Sequence, residues 1–502
     1  MRKFIILIFL LLSLFISCGG EDKEVNIQDI TLKDCILTRL NRGDTNWTNK
    51  IYQSEVDKID SLFCDGKIYN THGLESLRNL EYLEVQGWYA EDNFMEIGEL
   101  KKLKKLTLGG IKNISFLSGL DNLEELYFKE VRIKSLEAIN NLKLKKFGIY
   151  YMGGEIPSNF LITISKMKTL EYLNIVNNNI QDLSFVRDLT NLKYLELVDN
   201  DVIDLLPIEG LVNLEELNLE NNYNLSDLSP LVNLKKLKAL VFNGTKISDI
   251  SPLKNSVNLI VLKAPNNRII DVSILANMTK LQWLELQNNE IKDISSLENL
   301  TLIEYLDLSN NNLEDVLSLH SLTSMKHLDI HNNYDAIGED AFKNMVDIEF
   351  LSIDSTSIDT FDFLENLKNI TNISFSGNKI TTLKGLEKAK YLQKINLSVN
   401  KIKDLTGIEK LIQVYSINLA YNGITDLSPM ANISPEKFWD YIDLSNNYIT
   451  DLTPLRDLYI NSIDLYWNCI DDFSPIENAE NINFFYDDVF GRQRVRCDVP
   501  ED

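Results

Sequence analysis

Hydrophobic positions along most of this chain alternate over a short run, pause at a polar turn, and then alternate again. Leu195-Glu196-Leu197-Val198-Asp199-Asn200 sets the pattern. It returns as Leu217-Asn218-Leu219-Glu220-Asn221-Asn222, Leu284-Glu285-Leu286-Gln287-Asn288-Asn289 and Leu306-Asp307-Leu308-Ser309-Asn310-Asn311. Alternate side chains of an extended segment share a face, so each six-mer predicts a strand with its paired leucines inward and the residues between them facing solvent. The last position of the six-mer falls on Asn178, Asn200, Asn222, Thr245, Asn267, Asn289, Asn311, Asn333, Thr356, Asn378, Asn400, Asn422, Asn447 and Asn468, at an interval of 22 residues in nine of the thirteen steps. Trp88, Ile111, Val131 and Met152 hold the same slot in degenerate units upstream, and Gly66 stands where one earlier unit would place it, so about nineteen rungs are readable.

Between strands the chain reads Ile-x-Asp-Leu-Ser-Pro or a relative, as at Asp227 to Pro230, Asp249 to Pro252, Asp426 to Pro429 and Asp451 to Pro454. Ser or Thr before proline predicts a short helical turn, because proline supplies the helical φ and its position needs no amide partner. A unit this short has room for one strand and one 3₁₀ turn. It cannot bury its leucines alone, so units must stack. Asparagine in the turn is expected to bond backbone groups of adjacent turns that a tight buried bend would orphan, with threonine doing part of that work at Thr245 and Thr356. From about Ser61 to Pro475 these residues resemble leucine-rich repeats, specifically the 22-residue bacterial type of internalin-like surface proteins. The resemblance implies an α/β solenoid with a parallel β-sheet on its concave side and short 3₁₀ or helical segments on the convex side.

The two ends depart from the pattern. Met1-Arg2-Lys3 is a positive start, and Phe4 to Ile16 is apolar except for Ser13, the proportions of a secretory signal. Phe15-Ile16-Ser17-Cys18 resembles a bacterial lipoprotein signal with Phe15 where leucine is usual, which implies cleavage over residues 1–17 and a lipid on Cys18; a plain secretory signal that discards Cys18 is the alternative. Residues 18–26 then read as an acidic tether, 27–58 as an N-terminal cap, 59–475 as the repeats and 476–502 as a C-terminal cap. Ile27 to Leu40 has the spacing of an amphipathic helix. In the loop after it, Asp44, Asn46, Thr48, Tyr52 and Glu55 fall on EF-hand ligand positions, with Asn49 in place of the turn glycine. Calcium is the cofactor this loop would hold. The weakness of Thr48 as a ligand and the lack of a second hand favour a loop that keeps only the shape. Four cysteines remain after Cys18, and of their three connectivities the local one pairs Cys35 with Cys64 and Cys469 with Cys497; buried free thiols are the alternative. An exported chain would keep such bonds.

Composition narrows the function. Fifty basic residues against 74 acidic ones give a formal charge of −24, which repels phosphate backbones and excludes nucleic acid as an expected partner. No second long apolar run follows the first, so membrane contact is expected through the lipid anchor only. No nucleophile–base–orienter set, phosphate-cradling glycine loop or dinucleotide fingerprint appears, and a non-enzymatic protein is expected.

Binding is expected on the solvent-facing strand positions, which are rigidly spaced at ~4.8 Å from rung to rung. The position before the first leucine reads Trp283, Tyr305, His327 and Phe350 in four successive repeats, and two places on come Glu285, Asp307 and Asp329. Stacked carboxylates repel, and a cationic group from a partner would relieve them; the rings add contact area and faces for a cation or sugar. Aromatic-Leu-acid-Leu is also common filler in such repeats. His327, Asp329 and His331 share a strand face, but the outer two lie ~13 Å apart when extended and cannot chelate together. Tyr127, Tyr150, Tyr151, Tyr172 and Tyr194 form a second aromatic group. The expected role is adhesin-like binding of a protein partner at the cell surface or outer membrane. Glycan or peptide capture and a structural envelope scaffold stand as alternatives.

Overall fold

The computed structural model describes residues 22–42, 50–87, 94–152, 154, 156–333, 339–477 and 483–485. The signal segment with Cys18, Trp88, Asp44, Asn46, Thr48 and Cys497 lie outside the described residues. The chain forms two compact units, Met1–Leu214 and Glu215–Asp502.

The first unit opens with a two-stranded antiparallel pair, Glu24–Val25 against Ile51–Tyr52. Between them runs the helix Ile30–Arg39, shorter than the expected Ile27 to Leu40 because Asp29 stops it at the front. Asp29 Oδ1 accepts the Leu32 amide at 3.0 Å and its Oδ2 accepts the Tyr69 amide at 2.7 Å, so one carboxylate both caps the helix and ties it to the first repeat. Seven parallel strands follow, from Ser61–Ile68 to Tyr194–Glu196. The second unit has thirteen described strands, from Glu216–Asn218 to Asn483–Phe485, each parallel to the next in chain order. Most are three residues long, as the six-mers require.

Burial follows the alternation. Leu284, Leu286, Leu306, Leu308 and Leu328 are wholly buried, while the residues between them stay partly exposed or lie against neighbouring side chains. Burying one such leucine contributes roughly 1.5–3 kcal/mol, and every rung supplies several. The return segments are 3₁₀ turns such as Ser229–Asn233, Ser251–Asn255 and Ser428–Asn432, with proline in the first turn. The aspartate two residues ahead of the turn's first serine fixes where the turn begins. Asp227 accepts the Ser229 amide and hydroxyl, both at 2.7 Å, and Asp426 does the same for Ser428. The serine hydroxyl and amide hold the Asp426 carboxyl below the usual carboxylate range.

The asparagine slots do what the turn demands. Asn267 Nδ2 donates to the carbonyls of Phe242 (3.0 Å), Ala264 (3.2 Å) and Pro265 (3.1 Å), and its Oδ1 accepts the Ile247 amide at 3.2 Å. One buried amide therefore bridges two rungs. Asn289, Asn311, Asn333 and Asn422 repeat the arrangement. Thr245 keeps only part of it, donating its hydroxyl to Phe242 O at 3.3 Å and to Asn267 Oδ1 at 2.5 Å.

The residue just before each slot has its own constraint. Asn177, Asp199, Asn221, Asn266, Asn288, Asn310 and Asn332 all lie at φ between 53° and 57°, and Gly244 and Gly377 take the same place at 63° and 65°. Asparagine and glycine enter this left-handed region most readily. Val399, Tyr421 and Trp467 occupy it too, at φ 57°, 55° and 58°, and all three side chains are more than half exposed.

Candidate functional site

The parallel register of the second unit sets Trp283 beside Tyr305, Tyr305 beside His327, and His327 beside Phe350. The rings respond by stacking. Their centroids are 4.0, 4.2 and 4.2 Å apart in order, at interplanar angles of 4°, 9° and 4°. The free face of Trp283 is covered by the Lys263 ammonium, 4.7 Å from the ring centroid. Four rings thus form one ladder whose inner faces are closed and whose edges point outward.

The carboxylates alongside were expected to repel one another and to want a cation from outside. Each has a partner within the chain: a lysine for Glu285, a histidine for Asp329 and only the neutral Ser309 for Asp307. Glu285 Oε1 pairs with Lys263 Nζ at 2.9 Å and accepts the Trp283 indole N–H at 2.5 Å. Asp307 Oδ1 accepts the Ser309 amide at 3.0 Å and hydroxyl at 2.6 Å. Asp329 Oδ1 lies 2.7 Å from His331 Nδ1, and the other ring nitrogen of His331 is 3.3 Å from Asn310 Nδ2. Burial pushes the Asp307 carboxyl up, against the bonds from Ser309. The hydrogen bond that His331 makes to the Asp329 carboxylate raises its imidazole, whereas burial lowers that of His327. Burial and the Asp307 and Glu285 charges push the Tyr305 phenol up to about 12. The two histidines beside Asp329 therefore do different things, one stacked and one paired, and no group of three metal-ligating side chains forms among the described residues.

The structure places the seven residues expected from the sequence side by side, and Lys263, Ser309 and His331 are partners that sequence reasoning missed. The signal was available. Ser309 and His331 sit two places after their carboxylates on the same strand face, and Lys263 sits one rung before Glu285 in the same column.

A strand and a 3₁₀ turn in most rungs, tied in most of those from Asn178 onward by a buried asparagine, agree with the comparisons. The pattern described as Leucine Rich repeats (2 copies) matches residues 168–210 and 212–255. The fold is a leucine-rich-repeat solenoid. It is similar in structure to a leucine-rich-repeat protein of Leptospira interrogans, at 21% identity over 83% of this chain and 93% of that one, with a TM-score of 0.51. A plant peptide hormone receptor solved in complex with its peptide matches at 18% identity over 82% and 84%, with a TM-score of 0.54. An internalin, InlF of Listeria monocytogenes, matches at 26% identity over 78% and 95%, with a TM-score of 0.44. No curated protein sequence matches the chain.

Of the expected ligand positions in the N-terminal loop, Tyr52 and Glu55 are among the described residues. Glu55, the expected twelfth-position ligand, instead accepts the Arg42 guanidinium on one oxygen and the Tyr52 amide on the other at 2.9 Å, and Arg42 also donates to Lys50 O at 2.9 Å. Tyr52 lies in the short strand pair. Cys35 and Cys64 are disulfide-bonded, as the local pairing expected. Cys469 is also disulfide-bonded, but Cys497 lies outside the described residues. In the first unit a recess of about 690 Å³ is lined by Glu124, Lys145, Glu171 and Lys193 among others. These charges pair along the row, Lys145–Glu124 at 2.9 Å and Lys193–Glu171 at 2.7 Å. No helix among the described residues is long and apolar enough to cross a membrane.

Proposed function

We propose that this chain is a non-catalytic binding protein of the cell envelope that docks a protein partner on the ring ladder of Trp283, Tyr305, His327 and Phe350. The observation that carries the reading is the ladder itself. Four aromatic side chains are already ordered against one another, so a partner binds them with little further loss of rotamer freedom. Rigid aromatic anchors flanked by paired polar groups are the usual composition of a protein-binding hot spot. The plant receptor bound to its peptide supports a polypeptide ligand for this fold. Glycan capture is the weaker reading, because sugar rings stack on open aromatic faces and the inner faces here are closed by the neighbouring rings. Lipid attachment at Cys18, with an outer-membrane or surface position, belongs to the same proposal and is supported by the sequence ahead of it.

A photo-crosslinking residue placed at Trp283 in intact cells tests the docking face. The outcome expected is a protein adduct that is absent when the same group replaces Ile270, which is exposed on the return side of a repeat, and that is lost when Tyr305→Ala is added. Adducts of equal yield from both positions, or none from Trp283, would overturn it. Labelling with a radioactive fatty acid, present in wild type and lost in Cys18→Ser, tests the anchor.

A further inference from the structure

The tyrosines of the first unit form a second cluster, independent of the ring ladder. Tyr172 and Tyr194 stack with centroids 4.1 Å apart at 4°, and Tyr127 meets Tyr172 edge-on at 6.3 Å and 76°. Tyr127 and Tyr150 both close over Gly148, where a Cβ would come within 2.7 Å of Tyr127 Cδ1 and 3.2 Å of Tyr150 Cε2. A side chain at that strand position would displace the rings, so glycine is what lets them converge.

Two polar groups beneath the rings are incompletely served. Asn174 stands on the solvent-facing side of its strand, between Leu173 and Ile175, yet is only 1% exposed. Its Nδ2 donates to Glu196 Oε2, but its Oδ1 is buried with no hydrogen-bond partner. Glu196 accepts the Tyr194 hydroxyl on the same oxygen at 2.8 Å and makes no ion pair among the described residues. That is unusual on a surface where Glu84, Glu125 and Glu285 each pair with a lysine. The cluster therefore combines aromatic rings, a carboxylate lacking a counter-charge, and a buried carbonyl oxygen lacking a donor. One chemical group satisfies all three: a cation with N–H donors on a slim apolar stem. Ring faces attract such a cation, the carboxylate neutralises it and the carbonyl accepts its hydrogen. The protein already draws one ammonium toward these rings, since Lys105 Nζ lies 5.7 Å from the Tyr127 centroid.

We propose that Tyr127, Tyr150, Tyr172, Tyr194, Asn174 and Glu196 form a receptor for a single primary alkylammonium group, carried by a lysine side chain of a partner or by a free amine. The probe is n-butylammonium, observed by saturation-transfer NMR on the full chain. Saturable binding is expected, weakened about tenfold or more in Glu196→Gln, a substitution that keeps the shape and removes only the charge. The isosteric alcohol n-butanol should give no saturable signal. Equal binding of n-butanol and n-butylammonium, or unchanged binding in Glu196→Gln, overturns the proposal. Nα-acetyl-lysine amide then separates the sources. Binding on a par with n-butylammonium assigns the site to protein-borne lysine, and exclusion of it assigns the site to small amines. Trp283→Ala with Tyr305→Ala, which disables the ladder, should leave this titration unchanged.

Discussion

At the scale of single residues, the turn after each strand is held by two neighbouring side chains with different duties. The asparagine slot satisfies buried backbone groups, and the residue before it supplies a left-handed conformation. The first duty was legible in the sequence because nothing but asparagine or threonine fills that slot from Asn178 to Asn468. The second was hidden, since Val399, Tyr421 and Trp467 break what would otherwise read as a column of small polar residues and glycine. A β-branched residue is a poor occupant, costing about 1–2 kcal/mol relative to one at ease there. Val399→Asn should accordingly raise the stability of the protein by about 1 kcal/mol, seen as a higher urea midpoint with an unchanged slope. No change, or a loss, would mean that the exposed Val399 side chain makes contacts worth as much as the strain.

Strands and their neighbours decide what the ring ladder can do. The four rings were legible as a column, because parallel register copies a position faithfully from one rung to the next. Their mutual stacking was not, since sequence spacing does not report side-chain rotamers. The same gap in reasoning made the carboxylates look unpaired. His331 answers Asp329 from two places along the same strand, and its raised pKa has a sign that can be checked. A histidine held above its ordinary value of about 6.5 adds stability that is complete below that value and fades as pH climbs through the raised one. The stability gap between wild type and His331→Asn should then be larger at pH 5.5 than at pH 8.5, as read from denaturation midpoints at each pH. A gap that is flat or grows with pH would show that the Asp329 pair is not what holds the ring.

On the scale of the whole molecule, stability is local, because each rung touches mainly its neighbours. The front end is the vulnerable place, and three devices converge there: the Asp29 carboxylate, the Arg42–Glu55 pair and the Cys35–Cys64 bond. The cysteine pairing was legible because Cys35 and Cys64 stand together at one end of the chain, far from Cys469 and Cys497. The Arg42–Glu55 pair was not, since Glu55 read only as the twelfth position of an EF-hand-shaped loop and sequence spacing does not show which charge faces it. With a sequence separation of 29 residues, the bond stabilises by about 3–4 kcal/mol in the chain-entropy account. Cys35→Ser should speed amide exchange in residues 50–87 while leaving the strands beyond Glu215 at wild-type rates. Acceleration spread evenly through both units would contradict the nearest-neighbour picture. The rows of exposed lysine–glutamate pairs, by contrast, add little to stability at this surface.

The bridging asparagines also govern how such a molecule changes size. Each one spends its donors on the rung behind and on its own turn, while its oxygen serves the segment that leads toward it. Asn447 and Asn468 keep this bridge after steps of 25 and 21 residues, and excising the whole stretch 268–289 hands Asn311 the carbonyl of Ala264 that Asn289 had held. Extra residues are thus absorbed in the bends between bridges, and the loss of a whole rung leaves every remaining bridge a carbonyl to reach.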